Sequence, residues 1–161
     1  MLSDYFIESS RPDSYGCIEA GWCVGYYDRV LRLADKLEDY NAKQFNVAED
    51  KCGLYIYGPS NPLMGVSLDG ENKGSVFSKR YFQHWKTDPG VHEINLFPQS
   101  RSGRGMHLSL SLDCVGGEIV FIRYNQWSVA LEQERDDAES REQIEKRHLV
   151  IPGPMRKISD S

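Results

Sequence analysis

Residues 105–124 read GMHLSLSLDCVGGEIVFIRY, and this stretch decides the predicted fold. Over 106–114, apolar side chains alternate with mostly polar ones, which is the period-2 pattern of a half-buried β-strand. The adjacent Gly116 and Gly117 can adopt the positive φ angles that a two-residue hairpin turn needs. A second β-rich run follows over 119–124. The stretch therefore predicts a β-hairpin.

The turn also predicts which side chains share a face. If Val115 opposes Glu118, the side that carries Leu112 and Phe121 is mostly apolar and belongs to the core. The opposite side carries small hydroxyl groups such as that of Ser111, and it is either covered by a helix or open to a ligand or partner. A covering helix is favoured, because sheets usually bury an apolar face within their own domain.

Two helices are predicted outside the hairpin. Over 22–43, apolar residues recur at the spacing of one stripe along an amphipathic helix. Over 132–147 most residues are charged, and oppositely charged side chains lie one helical turn apart. Residues 125–131 fit either an extension of the preceding strand or the opening of a helix.

Short β-rich runs bounded by glycine, proline and asparagine complete the pattern. They cover residues 52–57, 63–68, 75–85 and 91–97. Residues 79–85 are also compatible with a short helix. The predicted fold class is α+β: a mainly antiparallel sheet of about five strands, with one long amphipathic helix packed on it and a second, charged C-terminal helix. Residues 1–151 are expected to form a single α+β domain and 152–161 a C-terminal tail.

Composition places the chain among ordinary globular proteins. It has 161 residues, a net charge of −5 and no run close to the ~18 apolar residues that a membrane helix requires. Its N-terminus lacks the basic start and apolar segment of a secretory signal, so the predicted location is the cytosol. The four cysteines lack the close spacing of zinc sites and are predicted to be buried thiols. No metal and no cofactor is predicted.

The excess negative charge is concentrated near the C-terminus. Residues 132–145 contain seven acids and two arginines, whereas the rest of the chain is balanced. The seven acids are Glu132, Glu134, Asp136, Asp137, Glu139, Glu142 and Glu145. A nucleic-acid-binding protein would present a basic face instead. We therefore predict that these acids bind a protein partner with a basic surface, because complementary fields speed association and select among partners.

The alternating strand carries the residue types of a hydrolase triad. They are His107, Ser109, Ser111 and Asp113. Neighbours on one strand face are about 6.5–7 Å apart, whereas a nucleophile and its base must approach to about 3 Å. No metal-binding histidine spacing occurs either. The sequence thus predicts no catalytic residue, and the balance is against an enzyme.

Six residues are predicted to contact an anion or to line a pocket if the protein binds a small ligand. They are His92, Arg101, Arg104, His107, Arg123 and Tyr124. Arg101 and Arg104 lie in a glycine-containing loop suited to an acidic group. The others would line a pocket between the sheet and the first helix.

The leading hypothesis is a small cytosolic protein-binding protein. Its most concrete form is an immunity-type or phage-type inhibitor whose acidic helix occludes a basic toxin or nuclease. The alternative is a small-ligand-binding protein or an enzyme with a pocket beside the first helix. The oligomeric state does not follow from the sequence.

Overall fold

A computed structural model describes residues 7–8, 16–17, 26–59, 64–74, 79–98 and 108–158 of the chain. These residues form twelve strands and two helices. In chain order the elements are β1 (Ile7–Glu8), β2 (Gly16–Cys17), β3 (Tyr26–Leu33), α1 (Lys36–Ala42), β4 (Cys52–Tyr57), β5 (Met64–Leu68), β6 (Glu71–Gly74), β7 (Tyr81–Thr87), β8 (Gly90–Pro98), β9 (Leu108–Cys114), β10 (Ile119–Asn125), β11 (Ala130–Glu134), α2 (Ala138–Glu145) and β12 (His148–Ile158).

The larger sheet, called sheet I, has the strand order β1-β3-β12-β7-β4-β10-β11, and β2 also pairs with β3. It is a mixed sheet, because β4 runs parallel to β10 and β12 runs parallel to β7. β4 lies well inside the sheet, and all of its residues are buried. A continuous buried run is typical of a strand that is covered on both faces. β4 therefore contributes side chains to an apolar core on each face of sheet I.

The smaller sheet, called sheet II, is antiparallel and has the order β6-β5-β8-β9. A cluster of buried apolar side chains joins it to one face of sheet I. Leu54 and Ile56 contribute from β4, Ile94 from β8 and Leu112 from β9. The two sheets thus form a sandwich with a shared apolar core.

A second cluster lies on the other face of sheet I, beneath the two helices. It joins Tyr55 and Phe121 of the sheet to Ala42 of α1 and Ile144 of α2. Tyr55 stacks on Phe121 with ring centroids 5.2 Å apart, and its hydroxyl donates a hydrogen bond to the Ala42 carbonyl at 2.7 Å. Three layers result: sheet II, sheet I and the helices.

The predicted fold class is wrong. The sequence pattern indicated about five strands with one long helix, whereas the described residues form two sheets and two short helices. Single apolar runs do not reveal that distant strands pair in parallel, since such pairing has no local signature. In the described part of the chain, neither helix is long and apolar enough to cross a membrane.

The largest single error is the long helix over 22–43. The described part of this segment divides into β3, which pairs with β12, and α1. Asp35 begins α1 as its N-cap, because its carboxylate accepts a hydrogen bond from the Glu38 N–H and Glu38 accepts one from the Asp35 N–H. The apolar stripe is therefore not one buried face, and Leu37 and Tyr40 are 67% and 61% exposed.

Strands do occur at the two expected places within 105–124, but they do not pair with each other as the predicted hairpin requires. β9 pairs with β8 in sheet II, whereas β10 pairs with β4 and β11 in sheet I. In the turn between them the Glu118 N–H donates to the Val115 carbonyl at 2.9 Å, and Gly117 has a φ of 85°. A positive φ at the third turn position alone indicates a type II turn, whose twist splays the flanking strands. The turn therefore delivers the two strands to different sheets.

The alternation along β9 predicts the direction of its side chains correctly. Leu112 and Cys114 are buried, as expected for the core face. Ser109, Ser111 and Asp113 are exposed, so no helix of the described part of the chain covers them. The prediction of a covering helix is wrong, because both helices pack on sheet I instead.

Cys52 and Cys114 form a disulfide that joins β4 of sheet I to β9 of sheet II. Their Cα atoms are 6.3 Å apart, within the range of about 4.4–6.8 Å usual for disulfides. The prediction of buried thiols is wrong for this pair, although both residues are buried. The two cysteines are far apart in sequence, so only the packing of the two sheets brings them together.

The C-terminal acidic segment starts as a strand rather than a helix. β11 pairs antiparallel with β10 after a turn at 126–129, and α2 begins only at Ala138, where the Asp137 side chain caps it. β12 then passes Pro152 and Pro154 at a bulge and continues to Ile158, beyond the predicted start of the tail. The division into one domain and a tail stays a prediction.

Candidate functional site

The seven acids predicted to bind a partner are distributed over three structural settings. Glu132 and Glu134 lie on β11. Asp136 and Asp137 lie between β11 and α2, and the remaining three lie on α2 itself. The setting decides whether each carboxylate is available to a partner.

The two acids on β11 are paired within the protein. Arg123 of the neighbouring β10 donates from Nε to Glu134 at 3.1 Å, and its Nη2 lies 3.8 Å from the Glu132 carboxylate. The Ser128 hydroxyl also donates to Glu132 at 3.0 Å. Both carboxylates therefore stabilise the β10–β11 ribbon, where opposite charges on facing strands favour pairing.

The two acids between β11 and α2 are also engaged. Asp136 forms a bidentate pair with Arg141, whose Nε and Nη2 donate to the two carboxylate oxygens at 2.7 and 3.0 Å. Asp137 accepts a hydrogen bond from the Ser140 N–H at 2.9 Å and so caps the first turn of α2. These contacts fix the start of α2, so the carboxylates of Asp136 and Asp137 are engaged within the protein.

The three acids of α2 have a different position. Glu139, Glu142 and Glu145 follow one another at intervals of three residues, so they lie along one side of α2. All three are exposed. Glu142 lies 3.6 Å from Lys146, an exposed pair of small energetic value. Neither of the other two has an ion-pair partner among the residues that the structure describes. We call this set the α2 carboxylates.

The sequence-based reasoning did not identify the turn between β10 and β11 as a site. Trp127 in this turn is 87% exposed. The Asn125 side chain accepts hydrogen bonds from the N–H groups of Trp127 and Ser128 at 2.9 and 3.3 Å, which holds the turn. Val129 has a φ of 52°, which is strained for a β-branched residue. The signal available in the sequence was a tryptophan inside an otherwise polar turn motif, Asn-Gln-Trp-Ser.

The residues predicted to form a ligand pocket do not converge. Arg101, Arg104 and His107 lie outside the described residues. Tyr124 is buried between the two sheets, and Arg123 faces β11 and α2 instead. Their role in ligand binding stays a prediction, and nothing in the described geometry joins them in one pocket.

His92 ties two turns together. Its Nδ1 lies 2.6 Å from the Asp69 carboxylate and its Nε2 lies 2.6 Å from the Asp88 carbonyl oxygen, so the doubly protonated ring satisfies both acceptors. Burial alone would lower the pKa of His92, but its hydrogen bonds to Asp69 and Asp88 raise that pKa above its usual value. His92 therefore stabilises the turn at Asp69 and the turn at Asp88, and it does not line the cavity described next.

A cavity of about 500 Å³ lies between sheet I and α2. Its wall includes Tyr57, Lys79, Arg123, Gln143, Lys146 and Arg147. The sequence predicted a pocket beside the first helix, whereas this cavity lies beside the second. Burial raises the pKa of the Tyr57 hydroxyl, so that group remains protonated and neutral near pH 7.

Within the part of the chain that the structure describes, no group of three or more histidine, cysteine, aspartate or glutamate side chains is arranged to hold a metal ion. This leaves surface contacts and the cavity as the candidate sites.

Comparisons with known proteins were made for the whole chain. No protein-family model, no curated protein and no solved structure matches it.

Proposed function

We propose that this protein binds another protein that presents a basic surface, and that the α2 carboxylates and Trp127 make the contact. The observation that carries the proposal is the division among the seven acids. Four of them are engaged inside the protein, whereas three project from one exposed face of α2. Exposed carboxylates attract a complementary surface and select it against acidic competitors. The exposed Glu142–Lys146 pair is too weak to remove Glu142 from this set.

Trp127 supplies an apolar anchor for the same contact. Tryptophan is enriched among the few interface residues that dominate binding energy, because it buries a large rigid surface. The strand β11 connects its turn to α2, and Glu134 of β11 lines the same cavity as Gln143 of α2. The turn that holds Trp127 lies at the other end of β11, and five strand residues span about 17 Å. A partner with an interface of standard size can span this length and so contact both the helix and the turn.

The concrete form of the proposal is an inhibitor that covers the basic site of a toxin or a nuclease. Occlusion requires only a complementary surface of sufficient area and no catalytic group. The exposed carboxylates would repel phosphate groups, which is why a nucleic acid is not the proposed partner.

The disulfide bears on the compartment in which such binding would occur. A cytosolic location was predicted from the N-terminal sequence, whereas disulfides persist mainly in oxidising compartments. The cytosolic location therefore remains an expectation that the Cys52–Cys114 bond opposes. Rapid alkylation of cells followed by mass spectrometry would decide it, since modification of both cysteines indicates a reducing location.

The test of partner binding compares two triple variants that change the net charge equally. The first reverses the α2 carboxylates: Glu139→Lys, Glu142→Lys and Glu145→Lys. The control reverses exposed acids elsewhere: Glu49→Lys, Asp50→Lys and Asp113→Lys. Both variants and the unmodified protein are used to capture partners from lysate of the native host at low and high salt.

A stoichiometric partner that binds the unmodified protein and the control, and binds the first triple variant at least about tenfold more weakly, is the expected result. Its affinity should fall as salt rises. Trp127→Ala should weaken the same complex by about 2 kcal/mol, the value of a strong anchor. A partner that binds the first triple variant as tightly as the control contradicts the proposal.

A further inference from the structure

Arg147 forms the inner wall of the cavity between sheet I and α2. Its guanidinium carbon lies 5.0 Å from the centre of the Tyr57 ring, so the cation rests on an aromatic face. Nη1 donates to the carbonyl and the side-chain oxygen of Gln143 at 2.7 and 3.1 Å. The contact of Nη2 with the Gly58 carbonyl is longer, at 3.4 Å.

No carboxylate of the described residues pairs with this half-buried arginine, and its buried Nε has no hydrogen-bond partner there. A charge that is removed from water without a counter-charge is costly. The partnerless Nε and the weakly bonded Nη2 form one edge of the guanidinium, and such an edge can hold an oxyanion through two parallel hydrogen bonds.

Arg141 of α2 shows what this edge does when a partner is present. Its Nε and Nη2 donate to the two oxygens of Asp136 at 2.7 and 3.0 Å. Arg147 lines the cavity, and among the described residues no acid takes the equivalent place beside its Nε, which is shielded from solvent in this structure. An oxyanion from solution can accept two hydrogen bonds from Arg147, as Asp136 accepts two from Arg141.

We propose that the cavity binds a small molecule through its oxyanion group, a carboxylate or a phosphate, held by the Nε–Nη2 edge of Arg147. Lys79 and Lys146 lie on the wall and add positive charge. The volume of about 500 Å³ is in the range of small-ligand sites. Because Nε is shielded from solvent, this binding requires the guanidinium to shift towards the cavity. The 3.4 Å contact of Nη2 with the Gly58 carbonyl is the longest of its hydrogen bonds and the one given up most easily.

The acids on the cavity wall limit the ligand further. Glu134 is neutralised by Arg123, and Asp137 is bonded to the Ser140 N–H. Glu139 has no such partner among the described residues and also lies on the wall. A ligand with an oxyanion at one end and a hydrogen-bond donor at the other fits these charges best, because a multiply charged anion would meet Glu139.

The test titrates phosphoethanolamine, and separately 4-aminobutyrate, into isotope-labelled protein, with sodium chloride at matched ionic strength as the reference. Each probe carries an oxyanion at one end and an ammonium donor at the other. Amide and arginine side-chain signals are followed by nuclear magnetic resonance. The cavity variant is Lys79→Gln with Lys146→Gln, and the matched control is Lys36→Gln with Lys86→Gln, two exposed lysines away from the cavity. Arg147→Lys keeps the charge and removes the planar fork.

The expected result is saturable shifts at Gly58, Ser140 and the Arg147 Nε–H that chloride does not reproduce. Affinity should fall at least about fivefold in the cavity variant and about tenfold in Arg147→Lys, and stay unchanged in the control. Tighter binding of phosphoethanolamine or of 4-aminobutyrate identifies the oxyanion as a phosphate or a carboxylate.

The proposal is overturned if neither probe gives saturable shifts at these positions, or if the cavity variant binds as the control does. If Arg147→Lys fails to fold, the comparison of the two lysine variants decides alone. The cavity shares Glu139 with the proposed partner surface, and Lys146 pairs with Glu142 of that surface, whereas Lys79 and Arg147 belong to the cavity alone. The loss of ligand binding in Arg147→Lys therefore tests the cavity separately from the partner surface.

Discussion

At the scale of single residues, each charged side chain acts according to its spatial neighbours. Asp136 and Glu139 are close in sequence, yet one is bonded to Arg141 and the other is exposed. Arg141 lies in α2 and Arg147 two residues beyond its end, yet of the two only Arg141 has a carboxylate partner among the described residues. Residue type alone therefore does not indicate which charges remain available for function.

His92 gives a prediction about pH. Its pKa is raised by the hydrogen bonds to Asp69 and Asp88, which outweigh the opposing effect of burial. Protonated His92 stabilises the folded protein fully at a pH below the pKa of histidine in the unfolded chain, about 6.5. This stabilisation is lost as the pH rises through the higher pKa that His92 has in the folded protein. Because the Asp69 side chain is 47% exposed, we expect a loss of no more than about 1 kcal/mol.

The measurement is the free energy of unfolding by urea across this pH range, for the unmodified protein and for His92→Gln. The unmodified protein should lose stability relative to the variant as pH rises. Parallel pH profiles for the two proteins would show that the imidazolium does not contribute.

At the scale of elements, turn geometry decides where strands go. The turn at 115–118 has the two glycines of a hairpin, yet its type II conformation separates β9 from β10. The Asp35 cap likewise divides a continuous apolar pattern into β3 and α1. A turn or a capping residue between two elements thus decides the structure, even where the apolar pattern on its two sides predicts something else.

The two glycines of that turn are predicted to be required for different reasons. A Cβ at Gly116 would overlap the carbonyl oxygen of Glu49, whereas at Gly117 its nearest neighbour would be 3.8 Å away. Gly117→Ala should therefore cost about 1–2 kcal/mol, from its positive φ alone. Gly116→Ala should cost more, about 3 kcal/mol, since backbone must move.

Thermal or urea unfolding of the two alanine variants measures this difference. Equal losses of stability, or a larger loss for Gly117→Ala, would contradict the turn geometry described above.

At the scale of the whole molecule, β4 belongs to both core layers. Its residues alternate between the sandwich core, with Leu54 and Ile56, and the helix-facing core, with Tyr55 and Tyr57. The disulfide from Cys52 then joins this strand to sheet II. The packing of the two sheets is thus supported by apolar burial and by one covalent link.

Reduction of the disulfide is predicted to destabilise the whole protein. The bonded cysteines are 62 residues apart, and closing a loop of that size restricts the unfolded chain by about 4 kcal/mol in the chain-entropy description. Urea unfolding with and without a reductant should show a loss of this order. The variant Cys52→Ala with Cys114→Ala should be similarly destabilised and should not respond to the reductant, apart from any effect of the other cysteines.

Alkylation of the native, oxidised protein provides the check on the bond itself. Modification of Cys52 or Cys114 without prior reduction would contradict it.

The sequence by itself determined the local elements. The strand over 52–57 was predicted with its observed bounds, and those over 63–68 and 91–97 were close to β5 and β8, because alternation and turn residues act over a few neighbours. The inward direction of Leu112 and Cys114 followed from the same alternation.

Only the tertiary structure decided which strands pair, which cysteines bond and which acids are exposed. The pairing of β10 with β4, the Cys52–Cys114 bond and the cavity at Arg147 each join segments that are far apart in sequence. Such contacts depend on the packing of whole layers, and they leave no periodic pattern in either segment alone.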